Sequence, residues 1–253
     1  MKLSGKNILI TGASSGIGKA LAEKLAKRNN LILIARNLEA LEKFKAENTA
    51  GSFKILTVKC DVSKKPDVEK AYSFIKENSG FVDIAILNSG VSYRMKVEKF
   101  DSGLAEEIFG TNVFGIIYWV EQLIKDYIPN KKGTIVGISS LADNRGYSGS
   151  SFYSASKAAA SIYLEGLRIE LKKYNIKVIT VKPGFVKTPM TDKNRFPMPF
   201  LMQPDKAADY IIKGIEKGKR VFSFPLPMSV IVKILGLLPS AVYEYLASKN
   251  KYE

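Results

Sequence analysis

Tyr153 and Lys157 stand four residues apart in the serine- and alanine-rich run SSFYSASKAAASIY, residues 150–163. On a helix, that spacing turns both side chains to one face. An ammonium beside a phenol stabilises the phenolate and lowers the tyrosine pKa from its ordinary value of about 10. Tyr153 is then a usable proton donor or acceptor near neutral pH, in a chain that has no histidine. Alone, such a pair often only decorates a helix. A second group lies in TIVGISSLA, where Ser139 and Ser140 follow a buried-strand pattern. Open α/β sheets bind ligands at that edge, although serines there are often only turn formers. A third is TGASSGIGKALAEKL, with glycines at 12, 16 and 18 where a strand pattern gives way to an amphipathic helix. Free N–H groups and the helix dipole favour an anion there, and glycine lets a phosphate approach closely. The spacing G-x-x-x-G-x-G differs from the commoner G-x-G-x-x-G and is also compatible with a plain tight turn.

The next strand pattern ends in LILIARN. An NAD site usually carries an acid there for the ribose 2′-hydroxyl, whereas this chain has Ala35, Arg36 and Asn37. Arginine suits a 2′-phosphate through a charge-assisted contact, which favours NADP over NAD.

These groups need a scaffold, and the 253 residues are enough for a well-buried core. Hydrophobic content of 46% and charged content of 25% are ordinary for a globular protein. The single cysteine, Cys60, rules out an internal disulfide. No metal site is expected without histidine. The start, MKLSGKNILITG, lacks a signal-peptide pattern, and no run is long enough to span a bilayer, so a cytoplasmic location is expected. The net charge of +15 comes mostly from scattered lysines. That distribution argues against nucleic-acid binding while leaving a preference for anionic ligands.

Apolar runs at 7–11, 31–35, 53–58, 83–88, 134–139, 177–182 and 220–224 read as strands buried on both sheet faces. Segments with three- and four-residue apolar spacing lie between them, including one unbroken stretch over 103–127. A β-α-β-α rhythm without a linker predicts one α/β domain with a parallel sheet covered on both sides.

In this order the motifs resemble the short-chain dehydrogenase/reductase family over roughly residues 5–225. That likeness implies a doubly wound Rossmann-type sheet of seven parallel strands, in order 3-2-1-4-5-6-7, for a catalytic domain over 1–225. It implies catalytic roles for Asn112, Ser140, Tyr153 and Lys157, with Ser140 at the usual 13-residue interval before Tyr153. Tyr153 would exchange the substrate proton, Ser140 would polarise the carbonyl, and Lys157 would tune Tyr153 and hold the nicotinamide ribose. Asn112, in TNVFG, would anchor a water relay from a distorted helical turn. The implied cofactor turn comprises Gly12, Ser14, Ser15, Gly16, Ile17 and Gly18. Asp61 and Val62 look like adenine contacts, and Asn88, Ser89 and Gly90 should flank the adenine-side ribose. Ser89 departs from the family's usual alanine. Pro183, Gly184, Val186 and Thr188 look like nicotinamide contacts.

The resemblance thus implies an NADP(H)-dependent oxidoreductase acting on a ketone or aldehyde and its alcohol. A non-catalytic NADP-binding sensor or scaffold on the same fold is the alternative. A mobile lid is expected over about 188–204, where Met190, Phe196, Met198, Phe200, Leu201 and Met202 suggest an apolar substrate or the packing of a short helix.

Residues 226–253 form a helical extension whose MSVIVKILGLL is too apolar for a solvated helix. Burial beside the lid is the expected fate. A place in a dimer interface, or contact with anionic lipid aided by Lys233, Lys249 and Lys251, is less favoured. The extension should obstruct pairing of seventh strands, leaving a homodimer through the helices that bear Asn112 and Tyr153.

Overall fold

A computed structural model describes residues 2–48 and 53–249. Seven strands form one parallel sheet in the order β3-β2-β1-β4-β5-β6-β7. They are β1 Asn7–Thr11, β2 Asn30–Ala35, β3 Ile55–Lys59, β4 Ile84–Leu87, β5 Thr134–Ile138, β6 Lys177–Pro183 and β7 Val221–Phe224. β1 falls where expected, and the ends of the other strands differ by at most two residues. β3 begins later because its pairing with β2 starts at Leu31 and Ile55.

Alternation along each strand builds two cores. Ile8, Ile10, Leu31 and Leu33 pack with residues of α1 (Gly16–Leu25), α2 (Leu38–Asn48) and α7 (Pro204–Glu216). Leu9, Ile32, Ile34 and Ala85 face the other way, towards α3 (Lys65–Ser79), α5 (Gly115–Asn130) and α6 (Ser151–Leu171). This two-sided burial is why the strands read as continuous apolar runs.

The stretch 103–127 is not one regular helix. α4 (Gly103–Phe109) and α5 are joined by a π-helical segment, Gly110–Phe114, which holds Asn112. Between Thr188 and Gln203 the chain forms turns and no helix. That segment is tied at both ends where Val186 bridges Met202.

The C-terminal extension forms α8 (Leu226–Leu237) and α9 (Ser240–Lys249). It docks on the loop after β5. Asn144 Nδ2 donates to the Val232 carbonyl at 2.6 Å, and Tyr243 Oη donates to the Gly146 carbonyl at 2.6 Å. Full burial of α8 does not occur. Only Ser229 and Val232 are buried, and Leu226, Val230, Ile231, Ile234 and Leu237 remain exposed. A helix apolar on all sides cannot bury every face against one neighbouring surface. Lys251 lies outside the described residues.

Candidate active site

The chain winds outward from β1 to β3 and returns to β4, so β1 and β4 are neighbours whose connections leave in opposite directions. A crevice opens at the carboxyl ends of strands at such a switch point. The cleft here has a volume of about 500 Å³.

Its first wall is the turn from β1 into α1. Gly12 has φ of +66°, in the left-handed region that favours glycine. A Cβ on Gly18 would collide with the Gly12 carbonyl oxygen, so only glycine lets α1 start this close to the strand. The Ser15 side chain makes no capping hydrogen bond, which leaves first-turn N–H groups of α1 open to an anion. Ser14, Ser15, Gly16 and Ile17 line the cleft, whereas Gly18 lies beneath it.

Arg36 follows β2, exposed at the cleft's far end. Its neighbour Asn37 serves the start of α2, where its Oδ1 accepts from the Ala40 N–H at 3.0 Å. Asp61, Val62, Asn88, Ser89 and Gly90 line the same cleft. Thr11 Oγ1 fixes the β4 end by accepting from the N–H groups of Asn88 at 2.9 Å and Ser89 at 3.0 Å. The donors fit a phosphate-bearing dinucleotide: open amides and two serines sit at one end, and a guanidinium at the other. Pro183, Gly184, Val186 and Thr188 complete the lining.

Ser140, Tyr153 and Lys157 also border this cleft. The Ser140 side chain lies beside Tyr153 and favours its ionised form. Ser140 Oγ accepts from the Ala142 N–H at 3.1 Å, at the cap of a short 3-10 turn, Leu141–Asp143. Buried Lys157 donates from Nζ to the Ile138 carbonyl at 3.0 Å and lies 5.8 Å from the Tyr153 ring centre. A side chain at Gly90 would press on Asn112 Oδ1 and Lys157 Nζ, each within 3.4 Å of its Cβ.

The electrostatic balance differs from the sequence expectation. Burial pushes the Tyr153 hydroxyl above its ordinary pKa, opposed by the neighbouring Ser140 hydroxyl and reinforced by the charge of Asp143. Burial also pushes Lys157 down to about 8, against the raising effect of Asp143. Desolvation of the phenol outweighs any help from a lysine that donates to a backbone carbonyl. The Asp143 carboxylate is itself buried and paired with Lys182 at 2.7 Å, and it accepts from Ser161 Oγ.

Asn112 is buried outside the cleft lining. Its Oδ1 accepts from the Val91 N–H at 2.8 Å. Its Nδ2 donates to the Val91 carbonyl and to Ser156 Oγ, each at 3.0 Å. The side chain clamps the segment after β4 to α6 rather than reaching the crevice.

A second cavity of about 380 Å³ adjoins the first, and Ser140, Tyr153, Gly184 and Met190 belong to both. Its far wall comes from Met228, Val232 and Leu235 of α8 and Tyr243, Leu246 and Ala247 of α9. Of the six apolar residues expected to face a substrate, only Met190 and Phe196 line it. Met202 packs on the core instead, and Phe200 and Leu201 are exposed. Sequence reasoning missed Arg94, Tyr147 and Tyr243 in this wall, which come from separate loops and a distant helix with no motif to join them.

Comparison with known proteins agrees with this geometry. The family model for short chain dehydrogenase matches residues 6–198. An uncharacterized oxidoreductase of Myxococcus xanthus is 33% identical over 249 residues, covering 98% of each chain. An alcohol dehydrogenase from Thermococcus sibiricus, solved with 5-hydroxy-NADP, superposes with a TM-score of 0.78 at 25% identity, covering 87% of this chain and 95% of the other. The 3-ketoacyl-(acyl-carrier-protein) reductase of Brucella melitensis, solved with NADH, has a TM-score of 0.82 at 26% identity, covering 90% and 100%.

Proposed function

The chain belongs to the short-chain dehydrogenase family, and on that premise we propose that it is an NADP(H)-dependent oxidoreductase interconverting an apolar ketone or aldehyde and its alcohol. One observation carries this reading. Ser140 and Tyr153 stand on the wall shared by the dinucleotide-shaped cleft and the second, largely apolar cavity. A carbonyl held in the second cavity would meet both hydroxyls.

In reduction, Tyr153 Oη gives its proton to the developing alkoxide; in oxidation, it takes the proton back. Its raised pKa keeps it protonated at neutral pH, which suits the donor role. Ser140 holds the same oxygen by a hydrogen bond that strengthens as negative charge grows there. When bound, the dinucleotide supplies or accepts the hydride. Lys157 would hold its nicotinamide ribose, and Asn112 would keep the Val91 segment in register with α6. The preference for NADP rests on Arg36, because the two solved relatives were obtained with different dinucleotides.

A homodimer through the outward faces of α5 and α6 is part of the proposal, supported by exposed Ile162 and Ile169. So is a cytoplasmic location, supported by a lone, buried cysteine.

Following NADPH oxidation over a panel of ketones and aldehydes tests the activity. Tyr153→Phe removes only the transferable proton, so turnover should fall by roughly 10²–10⁴-fold with NADPH affinity nearly unchanged. Wild-type turnover in that variant would refute the mechanism.

A further inference from the structure

α8 carries apolar side chains on two opposite sides. Met228, Val232 and Leu235 point into the second cavity. On the opposite side, Leu226, Val230, Ile234 and Leu237 recur at helical spacing and are 74%, 46%, 56% and 85% exposed. α9 adds Val242 and Tyr245, exposed at a spacing of three, with Lys249 one turn on. Lys249 Nζ lies 4.3 Å from the Tyr245 ring centre, and exposed Lys233 borders the α8 stripe. An apolar stripe edged by lysine and tyrosine matches the boundary between lipid headgroups and acyl chains.

We propose that the outward faces of α8 and α9 dock this protein on an anionic lipid bilayer. Charge favours this occupant. The chain carries +15, and the described parts of the two helices hold Lys233 and Lys249 against Glu244 alone. Such a surface attracts anionic lipid. Size points the same way. Two short helix faces present about six apolar side chains, whereas a stable dimer interface needs roughly 20–30 residues on each side. A bilayer surface accepts a single amphipathic face. No described helix is long and apolar enough to cross the membrane, so the contact is peripheral. The inference is independent of the reaction assigned above, since it concerns the side of α8 that faces away from the cavity.

The intact protein would be sedimented with phosphatidylcholine vesicles, with and without phosphatidylglycerol. It should partition onto the anionic vesicles and be released by salt. Lys233→Ala with Lys249→Ala should lower partitioning by roughly 10- to 30-fold. Ile234→Glu with Leu237→Glu should abolish it, while circular dichroism and NADPH affinity stay unchanged. Three results would overturn the proposal. The wild type could stay in the supernatant, or binding could survive the glutamate substitutions. Alternatively, sedimentation velocity could show those substitutions dissociating a dimer, which would make a second copy the occupant.

Discussion

At the residue scale, the site sets function against stability. Lys157 is an ammonium buried at the edge of the core, and burial holds its pKa at about 8 instead of the ordinary 10.5. The unfolded chain therefore binds more protons than the folded one between these values, and stability rises with pH across that window. Below pH 8 the full cost is present, on the order of 3 kcal/mol for a shift of this size. Lys157→Met should raise the melting temperature at pH 7 and flatten its rise between pH 8 and 10.5, while turnover collapses; calorimetry and activity over that range check both. Arg36 works by the opposite arithmetic, as an exposed charge with little structural duty. Arg36→Asp should weaken NADPH binding by roughly 10- to 150-fold, the equivalent of a charge-assisted contact of about 1.5–3 kcal/mol, and improve NADH binding. Titration of each dinucleotide by fluorescence measures the switch.

At the element scale, two local departures from regular structure shape the site. The π-helical segment Gly110–Phe114 interrupts what would otherwise be one long helix. There Asn112 meets Val91 and Ser156 at once. The other departure is the docking of α8. Its last carbonyls lack regular partners one turn on; the Leu238 N–H reaches that of Leu235, and Arg145 supplies the further donors. The guanidinium donates to Leu235 at 3.3 Å, to Gly236 at 3.0 Å and to Leu238, and it stacks 5.1 Å from the Tyr243 ring centre. One side chain thus ties α8 to α9 and both to the loop after β5. Arg145→Ala should loosen the cavity's far wall, raising KM several-fold with kcat nearly constant. It should also lower stability by about 1–3 kcal/mol, the range for losing hydrogen bonds to a charged group. Steady-state kinetics and chemical denaturation separate the two effects.

At the scale of the whole molecule, two of the places where apolar side chains stay exposed are helix faces. One is the outward side of α8 and α9. The other is α6, where Ile162 and Ile169 are 72% and 73% exposed, with Phe114 46% exposed at the junction with α5. Residues seven apart lie on one helix face, so Ile162 and Ile169 form a stripe suited to a two-fold contact. The protein should sediment as a dimer, and Ile162→Glu with Ile169→Glu should make it a monomer without changing vesicle binding. A dimer unaffected by these substitutions would place the interface elsewhere.

Contiguous motifs made much of this protein readable from its sequence. Each strand announces itself as a short apolar run, because a parallel sheet buried on both faces needs apolar residues at every position. The strand ends carry the glycines, Arg36, Ser140 and the Pro183–Gly184 pair, so nearly all the expected cleft residues meet in one crevice. What the sequence could not decide depends on surfaces brought together from distant segments. The cavity beside Tyr153 is walled by residues as far apart as Arg94 and Ala247, and no local pattern joins them. The fate of MSVIVKILGLL turns on how many of its faces the rest of the fold can cover, and only one of them is covered. The pKa of Tyr153 escapes sequence reasoning for the same reason: spacing on a helix gives the nearness of Lys157, but only the packed structure sets how much water both groups lose.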